Sequence, residues 1–238
     1  VARDDAQSPA AAKFIKETLK APSVFLIHDK TAYGQGLADE MKKNATALGM
    51  KVDGYEGITP GDKDFSAVLS KVKSTGSPVV YFGGSYPEAA QMLKQIKEKG
   101  INVKFVGADG LDSGELVKLA GAAANGVYYT SVVNDITKSA EGQAFAKRYA
   151  EYAKKELDSF AAYSYDASQV VVNALLEYAK ANPGKAPSRK ELAELVRKTS
   201  GFKGVSGTVT FDQKGDNKDA KVYMYQVQNG KYPGVQIQ

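Results

Sequence analysis

The sequence contains no cysteine, and only one of its 238 residues, His28, is a histidine. The absence of cysteine excludes disulfides, thiolate metal sites and thiol catalysis, and it leaves the redox compartment open. There is no histidine cluster, no metal-ligand spacing and no Gly-x-Ser-x-Gly turn that would expose a serine nucleophile. The sequence therefore predicts no catalytic residue, no metal site and no cofactor, and it favours a binding protein over an enzyme.

Long hydrophobic runs and concentrated charge are also missing. No apolar run approaches the roughly 18 residues that a membrane span needs. Hydrophobic residues make up 43% and charged residues 25% of the chain, which is typical of a globular protein. Lys and Arg number 32 against 27 Asp and Glu, giving a net charge of +5, but the excess is scattered along amphipathic helices. We therefore expect no nucleic-acid partner.

The first part of the chain alternates short apolar runs with amphipathic helices. The predicted strands are Ser23–Ile27, Lys51–Ile58, Pro78–Phe82, Val103–Val106 and Gly126–Tyr129. The predicted helices are Ala10–Leu19, Gly36–Leu48, Asp64–Val72, Glu88–Lys99 and Ser113–Leu119. Strands that alternate with helices of this length indicate an α/β fold with a parallel sheet covered on both faces.

After Val133 the pattern changes to three helices and one strand. Helices are predicted over Ala140–Leu157, Tyr163–Ala181 and Ser188–Thr199, and a strand over Val205–Phe211. A last pair of strands, Lys221–Gln228 and Lys231–Gln238, is predicted to form a hairpin across Asn229-Gly230. We expect residues 1–132 and 213–238 to form a complete α/β lobe, and residues 133–212 to form a partial second lobe that lacks most of its sheet. The apolar faces of these helices would then be covered by a second chain, by collapse of the helices on one another, or by a missing segment that completes the partial lobe.

Polar and aromatic residues follow the ends of three predicted strands. Tyr33 comes after the first strand, Ser85 and Tyr86 after the third, and Asp109 after the fourth. Because ligands bind outside the carboxyl ends of parallel strands, we expect these side chains to share one rim of the sheet. Aromatic walls, a hydroxyl and one carboxylate suit the ammonium end of a small zwitterion.

Each of these features has a plainer interpretation that position alone leaves open. Asp109 could be a turn residue or a helix cap, although Asp112 and Ser113 stand nearer the next helix and can cap it instead. The turn Tyr33-Gly34-Gln35-Gly36 resembles a phosphate loop but lacks the third glycine and the Lys-Ser/Thr ending, so a simple strand-to-helix turn is favoured. His28 and Asp29 are strand neighbours that point to opposite faces, which favours a packing or hinge-lining role for His28 over a catalytic dyad.

Six motifs along the chain carry a family resemblance. They are Arg3–Ala12, His28–Lys30 with Tyr33–Gly36, Gly61–Ser66, Tyr81–Gly84, Gly107–Gly110 and Phe211–Asp216. Their order resembles that of the leucine/isoleucine/valine-binding proteins, which are type I periplasmic solute-binding proteins of amino-acid ABC importers. The resemblance implies two Rossmann-like α/β lobes that close around a ligand by a hinge motion.

The resemblance also implies a function and a set of partners. We expect the extracytoplasmic, periplasmic substrate-binding component of an ABC importer for branched-chain or similar amino acids, with an amino acid as ligand and a membrane permease as partner. The alternative is the ligand-sensing domain of an amide- or amino-acid-responsive regulator or receptor. The chain starts at Val1 without a signal-like segment, so we expect any signal peptide to be absent from it.

The resemblance assigns roles to the predicted site residues. Asp109 stands where the family places an acidic residue, a Glu in one member, against the ligand's α-ammonium. Tyr33 matches a tyrosine that packs on the ligand. Ser85 aligns with another such tyrosine, so either Ser85 widens the pocket or Tyr86 takes that place. Phe160 is similar to an aromatic contact from the other lobe. Roughly the first third of the family's mature chain has no counterpart here, so we expect the chain to be a fragment.

Overall fold

The computed structural model describes residues 1–155 and 157–237. They form two compact units, which we call the sheet unit, Arg3–Val132 with Val222–Gln238, and the helical unit, Val1–Ala2 with Val133–Lys221. Residues 213–221 thus group with the helical unit, whereas the sequence division placed them with the complete lobe. The exact boundaries of the complete lobe and the partial lobe stay a prediction.

The sheet unit contains a seven-stranded sheet. Its strands are β1 (Ser23–His28), β2 (Lys51–Gly57), β3 (Val79–Gly83), β4 (Lys104–Gly107), β5 (Tyr128–Ser131), β8 (Tyr223–Gln228) and β9 (Lys231–Gln236). They stand side by side in the order β2-β1-β3-β4-β5-β8-β9. The first five pair in parallel, as predicted, and β8 joins β5 antiparallel. The predicted hairpin is also confirmed, since β8 and β9 pair across Asn229 and Gly230, which both have positive φ.

Helices cover both faces of this sheet, because each central strand is apolar on both sides. The helices are α1 (Asp4–Lys13), α2 (Ala32–Ala47), α3 (Ser66–Thr75), α4 (Tyr86–Glu98) and α5 (Gly114–Ala120). In β1, Val24 and Leu26 pack into one core with residues of α1 and α2, while Phe25 and Ile27 pack into another with α3, α4 and α5. All six residues of β1 are buried, as a central strand of a doubly covered parallel sheet requires.

The first helix begins earlier than predicted. It was expected over Ala10–Leu19, but α1 starts at Asp4 and is followed by a single π-helical turn, Phe14–Thr18. Asp4 and Asp5 lie in its first turn, where carboxylates interact favourably with the positive end of the helix dipole. The earlier start makes Gln7 a helical residue whose side chain is buried.

The helical unit contains α6 (Ala140–Ala153), α7 (Ala161–Ala181) and α8 (Arg189–Arg197). The predicted strand over Val205–Phe211 is wrong for most of its length. Among the described residues, β7 is only Thr208–Val209, paired with β6, Phe202–Lys203. The reason is Asp166, whose carboxylate accepts hydrogen bonds from the backbone N–H groups of Val205 and Ser206 and so removes them from any strand ladder.

Much of the apolar surface of α7 faces outward in this chain. Within the described part of the helical unit, the helices have the two-stranded β6–β7 sheet and no larger one, which confirms that a full sheet of their own is lacking. Val170 is 4% exposed, whereas Val172 is 43% and Leu176 is 54% exposed. No helix among the described residues is long and apolar enough to span a membrane.

The contrast within α7 gives a direct test of its packing in the 238-residue chain. Val170→Ala is expected to lower the free energy of unfolding by about 2 kcal/mol, because it removes buried methyl groups and leaves a cavity. Val172→Ala, two residues away, is expected to change it by less than about 0.5 kcal/mol. Urea unfolding of both variants measures the difference. Equal losses at the two positions would show that the orientation of α7 described here is wrong.

Candidate functional site

The carboxyl ends of three neighbouring strands meet at one rim of the sheet unit. His28 at the end of β1 stands beside Gly83 of β3, and Phe82 of β3 beside Gly107 of β4. The loops that follow approach each other very closely. A Cβ atom added to Gly83 would lie 2.2 Å from the backbone oxygen of Gly34. Only glycine permits this approach, so the strand ends and the start of α2 form one closely packed rim.

Tyr33 and Asp109 are joined by a hydrogen bond at this rim, although 76 residues separate them. The phenol Oη of Tyr33 donates to Asp109 Oδ1 at 2.6 Å and accepts from the backbone N–H of Gly110 at 2.8 Å. The structure thus brings together two of the predicted site residues. Both are half-buried, so the pair remains accessible from the surface.

The local sequence fixes Tyr33 in the first turn of α2. Thr31 is the N-cap, and its Oγ1 accepts from the backbone N–H of Gly34 at 2.9 Å. Asp29 in turn accepts from both the backbone N–H and the hydroxyl of Thr31. The turn after β1 is therefore an ordinary capped helix start, as predicted, which presents the tyrosine toward Asp109.

Electrostatics at the rim keep Tyr33 a hydrogen-bond donor. Burial, followed by the negative charge of Asp109 and the hydrogen bond to it, raises the pKa of Tyr33 far above its ordinary value. Burial, followed by the charge of Asp109, also raises the pKa of Asp4. The charge of Asp109 thus acts on a second carboxylate nearby, and the local potential favours a cation.

Asp109 begins a short 3-10 turn, Asp109–Leu111, and its side chain does not cap a helix. Ser113 is the N-cap of α5 and accepts from the backbone N–H of Glu115 at 3.2 Å. Asp112 plays a different part from the capping role considered for it. It is buried, and it accepts from Ser131 Oγ at 2.6 Å and from Tyr232 Oη at 2.9 Å, which ties the loop to β5 and β9.

Ser85 and Tyr86 lie beside the rim but outside the Tyr33–Asp109 hydrogen bonds. Ser85 occupies the N-cap position of α4 without making a side-chain cap. Tyr86 is half-buried and packs against the core cluster on the α3–α5 face. Among the described residues, the recorded hydrogen bonds connect neither of them to Tyr33 or Asp109. Phe160 belongs to the helical unit, where it is half-buried at the start of α7. Ligand contacts by these three residues stay predictions.

Two residues that sequence reasoning missed also belong to the rim. Gln7 Oε1 accepts from the backbone N–H of Asp109 at 3.1 Å, and Gln7 Nε2 donates to Asp4 Oδ1 at 3.3 Å. Both lie within the first of the six motifs, but the late helix start expected at Ala10 hid their position. Asp4 and Gln7 are three residues apart, which places them on one face of a helix that starts at Asp4, and this spacing was the signal available.

His28 serves packing, as expected. Its ring contacts Tyr55 with centroids 4.9 Å apart, and its Nδ1 accepts from the backbone N–H of Lys30 at 3.1 Å. It is 6% exposed, and burial lowers its pKa. The charged groups around it are Asp39 of α2, Asp29 and Lys30, of which the carboxylates oppose and the lysine reinforces this shift.

The lowered pKa of His28 predicts a loss of stability in acid. The unfolded chain takes up this proton near the ordinary value of 6.5, while the folded chain does so only at lower pH, so stability is complete above 6.5 and declines as the pH falls below it. His28→Asn offers an amide oxygen to the Lys30 N–H without this titration. Melting temperatures at about pH 7.5 and about pH 5.5 should differ more for the wild type than for the variant. The same difference in both would exclude His28 as the cause.

The chain belongs to the Periplasmic binding protein family, whose sequence profile matches residues 1–231. It is 38% identical over 237 residues to the Leu/Ile/Val-binding protein homolog 1 of Brucella suis biovar 1 (strain 1330), covering 98% of this chain and 62% of the relative. It is 33% identical over 223 residues to the leucine-, isoleucine-, valine-, threonine-, and alanine-binding protein of Pseudomonas aeruginosa, covering 94% of this chain and 58% of that one.

Solved structures show the same fold. A leucine-binding protein of Thermotoga maritima matches with a TM-score of 0.87 and 29% identity, over 99% of this chain and 65% of that chain. A branched-chain amino acid transporter substrate-binding protein of Streptococcus pneumoniae in complex with isoleucine matches with a TM-score of 0.82 and 29% identity, over 99% and 66%. The predicted family and type I periplasmic binding protein fold are confirmed, and the chain spans less than two thirds of the length of these curated relatives.

Proposed function

We propose that this chain is part of the extracytoplasmic substrate-binding component of an ABC importer that captures branched-chain or similar amino acids. The observation that carries the proposal is the Tyr33–Asp109 pair at the carboxyl ends of the parallel strands. Relatives named as leucine-, isoleucine- and valine-binding proteins and a homologous structure that holds isoleucine support it. A periplasmic location and a membrane permease as partner follow from the same proposal.

The chemistry of the pair suits an α-ammonium group. Asp109 Oδ1 accepts from Tyr33, so the carboxylate is oriented by a neutral donor, and Oδ2 can accept a charge-assisted hydrogen bond from a ligand. Because the phenol and the Gly110 N–H share one bond network, the carboxylate needs little reordering when a ligand arrives. The Tyr33 ring adds an apolar wall, which suits an aliphatic amino acid.

The same groups favour binding over catalysis. A phenol whose pKa is raised above its usual value is a poor general acid or base near neutral pH. The Nδ1 atom of His28 is engaged by the Lys30 N–H, and Asp29 is engaged by Thr31. We therefore propose that the protein releases its ligand unchanged.

Calorimetry on the full-length gene product tests this proposal. Leucine, isoleucine, valine and alanine are expected to bind, and leucine amide, which keeps the ammonium, is expected to bind more tightly than 4-methylpentanoate, which lacks it. Phenylalanine tests whether Ser85 widens the pocket. If none of the amino acids binds while the protein is folded, the proposal is wrong.

A further inference from the structure

The side-chain amide of Gln7 is fully buried and joins three parts of the sheet unit. Its Oε1 accepts from the backbone N–H of Asp109 at 3.1 Å and from the hydroxyl of Thr130, on β5, at 2.7 Å. Its Nε2 donates to Asp4 at 3.3 Å. These contacts connect Gln7 of α1 to Asp109, which lies 102 positions further along the chain, and to Thr130, which lies 123 positions further. A buried polar group that bridges such distant segments is a specific structural connection.

Gln7 and Tyr33 accept hydrogen bonds from two successive backbone N–H groups, those of Asp109 and Gly110. Gln7 holds the N–H of Asp109, and Tyr33 holds the N–H of Gly110 while it also donates to the Asp109 carboxylate. The position of the Asp109 backbone sets where its short side chain can reach. A Cβ on Gly110 would lie 2.4 Å from the backbone oxygen of Gly84, so this segment has little room to shift.

We propose that Gln7 is a positioning residue for the Asp109 carboxylate. It contacts no ligand itself, because its side chain is fully buried, and it acts by fixing the backbone from which the carboxylate projects. This inference rests on the proposed role of Asp109 as the acceptor for an ammonium group. Without Gln7, the hydrogen bond from Tyr33 still orients the carboxylate, but the Asp109 backbone can adopt several conformations. Ligand binding then has to select one of these conformations, which lowers the affinity.

The amide is the side chain that this position requires. It accepts two hydrogen bonds and donates one, and it adds no charge beside Asp4 and Asp109. Glutamate at this position would bury a third negative charge near two carboxylates. Methionine would match the size but leave the Asp109 N–H and the Thr130 hydroxyl without their acceptor, which is costly for buried groups.

The first half of the test is leucine calorimetry on full-length gene products. The variants are Gln7→Met, Ser8→Ala, Asp109→Asn and the double variant that carries both Gln7→Met and Asp109→Asn. Ser8 is the matched control, because it is equally buried on the same helix and donates to the Leu37 carbonyl instead of contacting the Asp109 loop. Gln7→Met is expected to weaken binding about tenfold or more and Ser8→Ala less than about twofold, although both lower the melting temperature. In the Asp109→Asn background, Gln7→Met should add little further loss.

The second half of the test is amide hydrogen exchange measured without ligand. Because it needs no ligand, it tests the role of Gln7 independently of the proposed function. Gln7→Met is expected to speed exchange at Asp109 about tenfold or more relative to wild type, while Ser8→Ala leaves it unchanged. If the wild type binds no leucine, the proposed function fails, and exchange at Asp109 still decides the role of Gln7. Unchanged exchange and unchanged affinity in folded Gln7→Met protein overturn the inference, as does an equal loss of affinity in Ser8→Ala.

A second variant guards against misfolding of Gln7→Met. Thr130→Val keeps the shape of the side chain but removes one of the two donors to the Gln7 oxygen. We expect exchange at Asp109 to be about threefold faster and leucine affinity about threefold weaker. Wild-type values for both would also contradict the proposal.

Discussion

Replacing Asp109 with asparagine is expected to weaken amino-acid binding by about 2 to 5 kcal/mol, between roughly thirtyfold and several thousandfold. The substitution keeps the size of the side chain and an oxygen that can accept from Tyr33, so it removes the charge and little else. The ligand's ammonium would then be desolvated without a carboxylate to compensate. Isothermal titration of the full-length product with leucine measures the loss.

The controls for this experiment come from the same rim and the same loop. Tyr33→Phe removes the hydrogen bond to Asp109 but leaves the charge, so its effect on affinity should be smaller than that of Asp109→Asn. Asp112→Asn changes the buried acid that accepts from Ser131 and Tyr232, so it should lower stability but alter affinity less than about threefold. An Asp109→Asn protein that is folded and binds leucine like the wild type would reduce Asp109 to a turn residue.

A ligand-free measurement supports the interpretation of that variant. The negative charge of Asp109 is the second cause, after burial, that raises the pKa of Asp4. Asp109→Asn should therefore lower the pKa of Asp4, which carboxyl-carbon NMR titration can follow. This change reports the electrostatic coupling at the rim even where no ligand is present.

The parallel sheet and the strand-end residues could be predicted because they depend on local patterns. Apolar runs such as Ser23–Ile27 and Pro78–Phe82 alternate with amphipathic helices, and only a doubly covered parallel sheet satisfies both. Since parallel strands place their carboxyl ends at one edge, the proximity of Tyr33 and Asp109 followed from the sheet alone. Their hydrogen bond did not follow, because it depends on side-chain directions set by the cap at Thr31.

Other parts of the fold depend on contacts that a local pattern does not contain. The apolar alternation of Val205–Phe211 favours a strand, but the distant carboxylate of Asp166 takes up its backbone donors. Gln7 is a similar case, because two of its three partners, Asp109 and Thr130, lie more than 100 residues away, and helical periodicity contains no information about them. Tyr86 packs against the core cluster, a contact that the sequence pattern did not indicate, and its contact with a ligand stays a prediction.

Gly83→Ala is the substitution expected to damage the rim most, with a loss of about 3 kcal/mol in the free energy of unfolding. The added Cβ would lie 2.2 Å from the backbone oxygen of Gly34 and 3.1 Å from its carbonyl carbon, and backbone atoms cannot rotate away as a flexible side chain can. Relief requires the end of β3 and the first turn of α2 to separate. That movement would strain the hydrogen bond from the Asp29 N–H to the Gly83 carbonyl.

Gly36→Ala is the matched control. Gly36 lies in α2, the helix that contains Gly34, and a Cβ on Gly36 would meet nothing within 4 Å. Alanine in a helix is more favourable than glycine by about 0.5 to 1 kcal/mol, so this variant should be slightly stabilised. Chemical unfolding of both proteins gives the two values directly. Because Tyr33 precedes Gly34, Gly83→Ala should also displace the phenol from Asp109 and weaken leucine binding, whereas Gly36→Ala should leave it unchanged. A Gly83→Ala protein as stable as the wild type would show that the two backbones do not approach as closely as described here.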